Sequence, residues 1–471
     1  MQRYEVLTAD ELGKVHENIL KIMANIGVVM PDEASKGILK AHGCTVDGDT
    51  VKFPRSLVEK CIKSAPSSFT INSRDGAHDV LISIDTLTFL GPNCPPYVVD
   101  LDRGHRNATL ADFIDAIKIC DNLENIDMHA QTPCEPNDVP QAERAVAMTY
   151  NTMKYSTKPF MGSSMGYKNA MHTIEMAAIP FGGLEAVKNK PVLSSIPCTL
   201  TPLVYDPSQL EAIRAYAEWG QVQVVNSLPI AGLSAPVTLA GMVSVEVAEV
   251  LAGIVLAQCI NPGTPCVLSG AGAASNMANG SIAIGAPEHA LNSLIISQLA
   301  HLYEIPCRVG GSLTDSKAID AQAGYESAMD IMANLMGCGN YVLHAAGIIE
   351  GYNATSFEKL VLDNEFIGYV KRIMAGVGVS EEDLAYDVIE EVAPGGTYLV
   401  EDHTLENFRD EIYVPSISNR ETQTAWKANG SLTVEQVANK KWKQILEEHP
   451  DPVISDELDK ELQAYIAKVE Y

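Results

Sequence analysis

The stretches Pro191-Val-Leu-Ser-Ser-Ile196 and Val222-Gln-Val-Val-Asn226 show the pattern that decides the fold of this chain. Each is short and apolar and runs into Ser, Asn or Thr, as buried parallel strands do where they enter loops. The stretches between such runs carry apolar residues three to four positions apart, the period of a helix that covers a sheet. The pattern therefore predicts the strand and helix units of an α/β protein.

The same unit repeats along the chain. Helices are predicted at residues 110–123 and from Pro287 to about residue 303, where proline and glutamate occupy the first turn as helix starts prefer. Eight units in one direction predict a (β/α)8 barrel, the TIM barrel, over an open doubly wound sheet, which seldom repeats eight times. The starts of the β-rich runs are separated by about 30 to 44 residues, which is the length of one unit. The runs begin near Thr86, Ile126, Pro159, Val192, Val222, Cys266, Ile305 and Tyr341.

Two further regions flank the predicted barrel of residues 81–376. Residues 1–80 hold a helical segment from Ala9 to about Ile26 and a strand pair around Asp47-Gly48, a dipeptide typical of hairpin turns. This region predicts a small N-terminal α+β cap. Residues 377–471 combine acidic helical stretches with Pro394-Gly-Gly396 and predict a helical C-terminal extension.

The composition narrows the class of partner. Of 471 residues, 60 are Asp or Glu and 33 are Lys or Arg, so the net charge of −27 argues against nucleic acids and anionic membrane surfaces and favours cations. The most apolar stretch, residues 242–260, contains Glu246 and Glu249 and is interpreted as a buried helix, not a membrane span. The start has no signal-peptide pattern and the ten cysteines form no Cys-x-x-Cys, which favours a reducing cytoplasm.

Polar residues just past each predicted strand are the candidate site residues, because barrel sites lie at the carboxyl ends of the strands. Acids and tyrosines among and near them would suit a cation held by charge and by aromatic faces, although packing at the barrel rim is the commoner role for any single tyrosine. The candidates are Asn93 and Tyr97; Gln131; Ser163 and Ser164; Thr199 and Tyr205; Asn226 and Ser227; Ser275 and Asn276; Ser312, Asp315 and Lys317; His344, Gly347, Glu350 and Tyr352; and, on the next helix, Tyr325.

Several familiar chemistries find no support. The eleven histidines contain no His-x-x-x-His pair, so no dedicated metal site is predicted. His129 and His344 could converge on a ligand, although a hydrogen-bonded core histidine is the commoner case. No Gly-x-Ser-x-Gly or Walker A sequence occurs, and the glycines of Gly270-Ala-Gly272 lack the rest of a dinucleotide fingerprint.

Longer blocks resemble a known family, the trimethylamine methyltransferases, over nearly the whole chain. The blocks are Gly91-Pro-Asn-Cys-Pro-Pro-Tyr-Val-Val-Asp-Leu-Asp102, Gly310-Gly-Ser-Leu-Thr-Asp-Ser-Lys317, Asp320-Ala-Gln-Ala-Gly-Tyr-Glu326, Leu343-His-Ala-Ala-Gly347, Leu362-Asp-Asn-Glu365, and Pro394-Gly-Gly396 followed by His403-Thr-Leu405. The resemblance implies a (β/α)8 barrel that passes a methyl group from a methylamine to the cobalt of a separate corrinoid protein.

The founding members of that family carry pyrrolysine, and this chain of ordinary residues resembles the branch that lacks it. The resemblance places the vacated position at or near Gly347 and implies a quaternary amine substrate. Among quaternary amines, glycine betaine is favoured as the commonest small substrate, and proline betaine, carnitine and γ-butyrobetaine remain alternatives. A quaternary ammonium is already activated, so attack by cob(I)alamin releases a neutral amine and needs no general acid or base.

The resemblance and the chemistry suggest roles for the site. His344, Gly347 and Asp315 are the expected catalytic group. Asp315 or Glu350 is expected beside the ammonium with Tyr97 and Tyr352, and His344 is expected to orient the substrate. The remaining candidates are Asn93, Gln131 and Tyr205 as substrate-binding residues, Tyr325 and Glu326 as their support, and Arg308 or Lys317 for a substrate carboxylate, although Arg308 could equally point outward.

The corrinoid is expected on a separate partner protein. The Asp-x-His-x-x-Gly signature of corrinoid domains has only a partial match in His344-Ala-Ala-Gly347, with Val342 in place of the aspartate. No cofactor bound tightly by this chain is expected, and a homo-oligomer remains open. Two rival interpretations are a barrel lyase or aldolase that uses Lys317 and a non-catalytic betaine-binding protein.

Overall fold

The centre of the molecule is a curled, wholly parallel sheet. The structure, a computed structural model, describes residues 3–471. Seven of the eight predicted runs form strands of this sheet, each parallel to its neighbours. In order across the sheet they are Thr88–Phe89, Tyr341–Val342, Cys307–Val309, Cys266–Ser269, Val222–Val225, Ser194–Ser195 and Met161–Gly162.

The eighth predicted run, which begins near Ile126, forms no strand of its own. It contributes two isolated parallel bridges, from Met128 to Leu90 and from His129 to Phe160. These bridges link the two outer strands of the sheet through a single short segment. The fold is therefore α/β with a curled parallel sheet.

Eight longer helices pack around the sheet. The helices predicted near residue 110 and from Pro287 are both present, and the second ends at Tyr303 as predicted. Thr109 caps the first of them by accepting a hydrogen bond from the Asp112 amide, which accounts for its start. The eight are Leu110–Asn122, Gln141–Tyr155, Gly166–Ala178, Pro207–Glu218, Leu239–Ile260, Pro287–Tyr303, Ala321–Gly337 and Phe357–Ala375.

Helix Leu239–Ile260 is the most apolar of these. By length and composition alone it could cross a membrane, but 78% of its most apolar window is buried inside the protein. Glu246 and Glu249 on this helix are fully buried. The prediction of a buried helix is therefore confirmed.

The N-terminal region packs its helices against helix Leu239–Ile260. The predicted hairpin at Asp47-Gly48 is present, and Gly48 has the positive φ of 58° that such turns need. Val29 also pairs with Val204, which joins this region to the loop after strand Ser194–Ser195. Its elements are helices Ala9–Lys21, Ile22–Ile26, Glu33–Ala41 and Arg55–Ser64, and strands Val28–Val29, Thr45–Asp47 and Thr50–Lys52.

Small sheets close the two ends of the central sheet. Hairpin Ser68–Ile71 and Val80–Ser83 shares an apolar cluster with the sheet interior. The others lie in loops beyond the carboxyl ends of the strands. They comprise Ile348–Ile349 with Ala354–Ser356, Tyr97–Asp100 and Gly104–Asn107; Ile230–Ala231 with Ala273–Ser275 and Ile282–Ala283; and Thr199–Leu200 with Val204–Tyr205.

The C-terminal region divides into a packed part and an unpacked part. Trp442 is buried against Phe357, and its indole N–H donates to the Glu358 carboxylate (2.9 Å). Residues 376–412, in contrast, contain no buried residue. The helices of the region are Glu381–Leu384, Tyr386–Val392, Asp402–Glu411, Gln423–Ala428, Val434–Glu448 and Asp456–Ile466.

Candidate functional site

The loops at the carboxyl ends of the strands bring the first candidates together. The Asn93 amide N–H donates to His344 Nδ1 (3.2 Å), and the Thr132 N–H donates to Asn93 Oδ1 (3.1 Å). The loops after the first strand, the Met128 segment and the last strand thus meet at one place. Gln131 precedes Thr132 and is half-buried there.

His344 is a neutral hydrogen-bond donor in this arrangement. Its ring is 6% exposed, and burial, with Arg308 and His289 nearby, holds its pKa well below the usual range. Because Nδ1 accepts the Asn93 N–H, the neutral ring carries its proton on Nε2. The ring centroid lies 4.9 Å from that of Tyr352. His344 can therefore offer an N–H to a bound ligand.

Arg308 points into the interior of the sheet, so the outward alternative is wrong. It pairs in register with Tyr341, whose hydroxyl meets Ser194 Oγ (2.9 Å) across the interior. The guanidinium is 2% exposed and donates from Nη1 to Gly270 O (3.2 Å), while Nε has no partner. Within residues 3–471, the hydrogen bond found for the guanidinium goes to this main-chain carbonyl and not to a carboxylate. A buried charge of this kind needs a counter-ion.

Three more candidates form the rim beside these two. Glu350 Oε2 lies 3.3 Å from His105 Nε2, and the His105 ring lies 4.6 Å from that of Tyr97. The buried Tyr352 hydroxyl has no hydrogen-bond partner, and burial raises the pKa of Tyr352 to about 12. The structure thus places Arg308 and Tyr352 beside the His344 ring. Glu350 and Tyr97 lie together through His105 on the neighbouring loops.

Backbone strain concentrates at the same loops. Of eleven non-glycine residues with positive φ in residues 3–471, four lie here: Cys94 (69°), His344 (60°), Glu350 (58°) and Tyr352 (73°). Left-handed conformations of such residues cost free energy and persist where the surrounding structure enforces them, often at functional sites. The strain therefore supports the placement of the site.

Asp315 and Glu326 hold loops together. Asp315 Oδ1 and Oδ2 accept the N–H groups of Ile284 (3.2 Å) and Gly285 (3.1 Å), and burial raises the pKa of Asp315. Glu326 Oε2 accepts the Asp315 N–H (2.9 Å) and the Thr314 hydroxyl (2.6 Å). Main-chain N–H groups and a hydroxyl donate to both carboxylates, which therefore hold these loops together.

Gly347 faces a helix. A Cβ built there would lie 2.6 Å from Leu360 Cδ2, and its φ is 91°. Its N–H donates to Asp363 Oδ2 (2.8 Å), which also binds Lys359 Nζ (2.6 Å). A side chain at position 347 would therefore enter the interface with helix Phe357–Ala375. The vacated position expected at or near Gly347 thus lies, at Gly347 itself, against this helix.

Two tyrosines lie apart from the cluster. Tyr205 is fully buried, and its hydroxyl donates to Glu249 O (2.8 Å) in the interface with helix Leu239–Ile260. Tyr325 is 64% exposed on helix Ala321–Gly337. Tyr205 therefore packs in a helix interface, and Tyr325 faces solvent.

Two further candidates have other partners. His129 Nε2 bonds Ser156 Oγ (2.7 Å), so it is a hydrogen-bonded core histidine and does not converge with His344. Lys317 is exposed, and its Nζ donates to Asp315 O (2.6 Å). A lyase lysine needs desolvation to act as a nucleophile, which this position does not give.

Sequence reasoning missed the loop-binding role of Glu246 and Glu249. Glu246 Oε1 accepts the N–H groups of Ala271 (2.7 Å) and Gly272 (2.6 Å), and burial raises the pKa of Glu246 to about 7. Glu249 accepts the Leu203 N–H (2.5 Å) and hydroxyls on two neighbouring loops. The available signal was two acids three positions apart in a buried helix, since buried carboxylates require donors.

Two thiols at the strand ends were also missed. Cys94 and Cys198 are exposed, unlike most of the ten free cysteines. Cys198 Sγ accepts from Asn226 Nδ2 (3.4 Å). Their place directly after predicted strands was the available signal. Within residues 3–471 no three His, Cys, Asp or Glu side chains are grouped to hold a metal ion.

The fold and the site together define an α/β protein with charged and aromatic side chains gathered at the carboxyl ends of a curled parallel sheet. The sequence profile of the trimethylamine methyltransferase (MTTB) family matches residues 1–470. The chain belongs to this family, which confirms the resemblance seen in its sequence blocks.

Individual relatives agree with this membership. The chain is 42% identical to glycine betaine methyltransferase of Desulfitobacterium hafniense (strain Y51), covering 99% of this chain and 98% of the relative. It is 30% identical to trimethylamine methyltransferase MttB of Methanosarcina barkeri (strain Fusaro / DSM 804), covering 99% and 95%. It is 31% identical to proline betaine:corrinoid methyltransferase of Eubacterium limosum, covering 86% and 85%.

A solved structure supports the fold alone. The crystal structure of the Methanosarcina barkeri monomethylamine methyltransferase (MtmB) superposes with a TM-score of 0.57 at 12% sequence identity, covering 94% of this chain and 89% of that chain. At this identity the likeness carries no information on substrate. It agrees with the α/β architecture described above.

Proposed function

We propose that this chain transfers a methyl group from glycine betaine to the Co(I) of a corrinoid carried by a separate protein. The identity of 42% over nearly the full length of a glycine betaine methyltransferase supports the reaction and the substrate class. Another betaine is the second candidate, because a proline betaine:corrinoid methyltransferase is also a relative. A reducing cytoplasm fits the ten free cysteines.

A closed (β/α)8 barrel is part of the proposal. The bridges at Met128 and His129 lie between the two outer strands and supply the missing eighth position. Closure would direct Arg308 and Tyr341 into the barrel interior and all strand-end loops around one mouth. The proposed regions are the cap of residues 1–80, the barrel of 81–376 and the extension of 377–471.

The unpaired Arg308 guanidinium is the observation that carries the proposed substrate. A betaine has a carboxylate that trimethylamine and choline lack. A carboxylate bound to Arg308 would supply the missing counter-ion and use the free Nε–H, in the forked geometry that guanidinium groups favour. Arg308 is therefore proposed to bind the carboxylate, and the exposed Lys317 is not.

The ammonium end is proposed to lie toward the rim. Tyr97 and Tyr352 offer aromatic faces, and Glu350 offers a carboxylate, which together attract a cation. The Nε2–H of His344 is proposed to hold the substrate carboxylate in line with Arg308. Asn93 fixes the His344 ring through its main-chain N–H, and Gln131 borders the same loop.

The reaction requires the protein only to bind the betaine and to orient one methyl group toward the cobalt. The bond between the nitrogen and one methyl carbon breaks, and its electron pair stays on nitrogen, which leaves dimethylglycine with a neutral amine nitrogen and an unchanged, negatively charged carboxylate. The methyl carbon bonds to the Co(I) of the partner, and Co(I) supplies the electron pair of the new cobalt–carbon bond. No proton moves, which agrees with a neutral His344 and with Tyr352 protonated at physiological pH. The cleft therefore accelerates transfer by orientation.

The corrinoid is proposed to be supplied by the partner protein. The partial signature around His344 is used otherwise, because Nδ1 of His344 already accepts the Asn93 N–H and its ring packs on Tyr352. Gly347 is tied to Asp363. These contacts engage both residues of the partial signature within the protein, which supports a corrinoid carried by a separate protein.

An anaerobic absorbance assay tests the reaction. Purified protein, cob(I)alamin or the cognate corrinoid protein, and a panel of trimethylamine, glycine betaine, proline betaine, carnitine, γ-butyrobetaine and choline are followed for methylcobalamin formation. Conversion with a betaine and none with trimethylamine is expected. Absence of conversion with every amine, with the corrinoid protein supplied, would overturn the function and favour a non-catalytic binding protein.

Substitution of Arg308 tests the substrate assignment. Arg308→Met removes two charge-assisted hydrogen bonds, and we expect kcat/KM for the betaine to fall by about 10²- to 10³-fold. Lys441→Met, which removes an exposed cation, serves as the matched control and should leave kcat/KM unchanged. Unchanged kcat/KM in Arg308→Met would refute carboxylate binding while the methyl transfer itself remained established.

A further inference from the structure

The Cys198 thiol belongs to a layer of polar side chains on the central sheet. Cys198 forms a parallel bridge with Asn226, and its Sγ accepts a hydrogen bond from Asn226 Nδ2 (3.4 Å). Asn226 Oδ1 accepts the Ser269 hydroxyl (2.6 Å), and Ser269 pairs in register with Arg308. Because residues in register on parallel strands point to the same face, these four side chains lie on one face and are here named the polar layer.

The polar layer faces the interior of the curled sheet. Side chains alternate along a strand, so Cys198 shares its face with Ile196, and Asn226 shares its face with Val224. Ile196 and Val224 belong to the buried apolar cluster that also contains Tyr341. The polar layer therefore marks the level at which the interior changes from apolar to polar side chains.

Cys198 is the accessible member of the polar layer. Asn226, Ser269 and Arg308 are at most 6% exposed, whereas Cys198 is exposed. Since Cys198 points to the interior, solvent reaches it through the interior of the sheet. The interior thus contains a recess that extends down to the Cys198 thiol.

Arg308 and Cys198 lie on facing sides of this recess. Their strands are three positions apart in the curled sheet. Side chains at such separations face each other across the interior, since the hydroxyls of Tyr341 and Ser194, from strands four positions apart, meet at 2.9 Å. Ser194 precedes Cys198 by four residues, so this hydroxyl pair closes the interior on the amino-terminal side of the recess.

The Arg308 guanidinium indicates that the recess receives a ligand. It is 2% exposed, and its Nε has no hydrogen-bond partner. A buried donor without an acceptor costs free energy, so the recess favours a ligand that accepts hydrogen bonds. The Cys198 sulfur is held in place, because it also donates to Ile196 O (3.6 Å). A ligand bound to Arg308 therefore faces a fixed thiol on the opposite wall.

We infer that Cys198 contacts the substrate and sets how bulky a betaine can be beside its carboxylate. The inference rests on the proposed function, in which Arg308 binds that carboxylate. A cysteine side chain is small and leaves room for the methylene of glycine betaine and for the ring of proline betaine. Its sulfur is polarisable and adds contact without charge. Cys198 is therefore a specificity-determining residue for these two substrates.

Protection from alkylation tests the contact without corrinoid. Iodoacetamide at about pH 8.5 alkylates accessible thiols, and peptide mass spectrometry measures the modification of each cysteine separately. Glycine betaine at about ten times its Kd is expected to slow the alkylation of Cys198 about tenfold. Trimethylamine, which lacks the carboxylate, should leave the rate nearly unchanged. Cys338, half-buried at the end of helix Ala321–Gly337, is the internal control and should react at one rate throughout.

Two results of this experiment would overturn the contact. One is alkylation of Cys198 that glycine betaine does not slow. The other is a Cys198 thiol that stays unmodified without ligand while Cys94 reacts, because the proposed recess gives the reagent access to both exposed thiols.

Substitutions that change the size of residue 198 test its role in specificity. Cys198→Leu narrows the recess, and we expect the Kd of proline betaine, measured by calorimetry, to rise about tenfold more than that of glycine betaine. Cys198→Ala widens the recess and should change the ratio of the two Kd values in the opposite direction. Cys338→Ala is the matched control and should keep the wild-type ratio. An unchanged ratio in both Cys198 variants, with wild-type circular dichroism spectra, would refute the role.

The methylcobalamin assay of the wild type separates this inference from the proposed function. Absence of conversion with every betaine would overturn both. Conversion of a betaine by the wild type, together with a Cys198 that is neither protected nor sensitive to size, would overturn the role of Cys198 alone.

Discussion

Two regions use acidic residues for opposite purposes: the loops at the carboxyl ends of the strands, behind the cleft, and residues 376–412, the acidic arm. Behind the cleft, Glu246, Glu249 and Asp363 are buried or nearly so, and each accepts main-chain N–H groups of a loop. In the arm, eleven acids surround short exposed helices and bury nothing. A carboxylate stabilises structure where donors converge on it; elsewhere it keeps a surface hydrated.

The comparison explains where rigidity lies. Each buried acid reaches from a helix to a loop at the carboxyl end of a strand, so the cleft is built on fixed backbone. The arm lacks such ties between its two ends. We therefore expect substitutions of acids to have large effects behind the cleft and small effects in the arm.

Removal of Asp363 should have the largest effect. Asp363→Ala leaves Lys359 charged and buried and the Gly347 N–H without an acceptor. Breaking a buried pair in this way costs about 3–5 kcal/mol in the free energy of unfolding, measured by urea denaturation. Asp387→Ala in the arm is the control, and equal losses in the two variants would break the comparison.

Glu246 should make stability depend on pH. Burial raises its folded-state pKa from 4.5 to about 7, so the folded protein favours the protonated acid. Its contribution is therefore full below pH 4.5 and is lost as pH rises toward 7, by about 3 kcal/mol in all.

Glu246→Gln removes this titration while keeping an acceptor oxygen for the Ala271 and Gly272 N–H groups. The difference in free energy of unfolding between Glu246→Gln and wild type should change in favour of the variant from pH 5 to pH 8. A difference that stays constant over this range would show that Glu246 is not protonated in the fold.

Asp315→Asn should separate loop support from substrate binding. The substitution weakens the bonds from the Ile284 and Gly285 N–H groups, with an expected loss of about 1–2 kcal/mol in unfolding free energy. Because both oxygens of Asp315 accept N–H groups of the loop, we expect a supporting role, and kcat/KM should fall less than tenfold. A loss of activity as large as that of Arg308→Met would return Asp315 to direct substrate contact.

Acids of the arm should contribute least. Glu390→Gln with Glu391→Gln removes two exposed charges from a helix that packs on nothing within one chain. The free energy of unfolding should change by less than about 0.5 kcal/mol. Thermal unfolding monitored by circular dichroism is sufficient, and a larger loss would show that the arm is held by its charges.

Much of the fold was predictable because its signals are local. Strand runs, the helix from Pro287 to Tyr303 and the hairpin at Asp47-Gly48 follow from short-range apolar periods and turn residues. The segment at Met128 was predicted to be a strand; it lies in the expected place but forms only two isolated bridges. Family blocks long enough to exceed chance gave the reaction class.

The site was predictable only in part because its geometry depends on distant partners. Tyr205 follows a strand end, yet Val204 pairs with Val29 of the cap, which draws the loop away from the cleft. Arg308 lies in a three-residue strand, too short for alternation to set its direction. Gly347 is fixed by Leu360 and Asp363 on a helix that the sequence alone does not bring near.

Helix Leu239–Ile260 also has a consequence during synthesis. While the nascent chain is on the ribosome, this segment emerges before the strands and helices that later cover it. An apolar stretch of 22 residues would then compete for the translocation machinery. Glu246 and Glu249, each adding a charge that costs on the order of 3 kcal/mol at the centre of a bilayer, oppose insertion. The two glutamates that hold the loops in the folded protein thus also make the exposed segment a poorer membrane span.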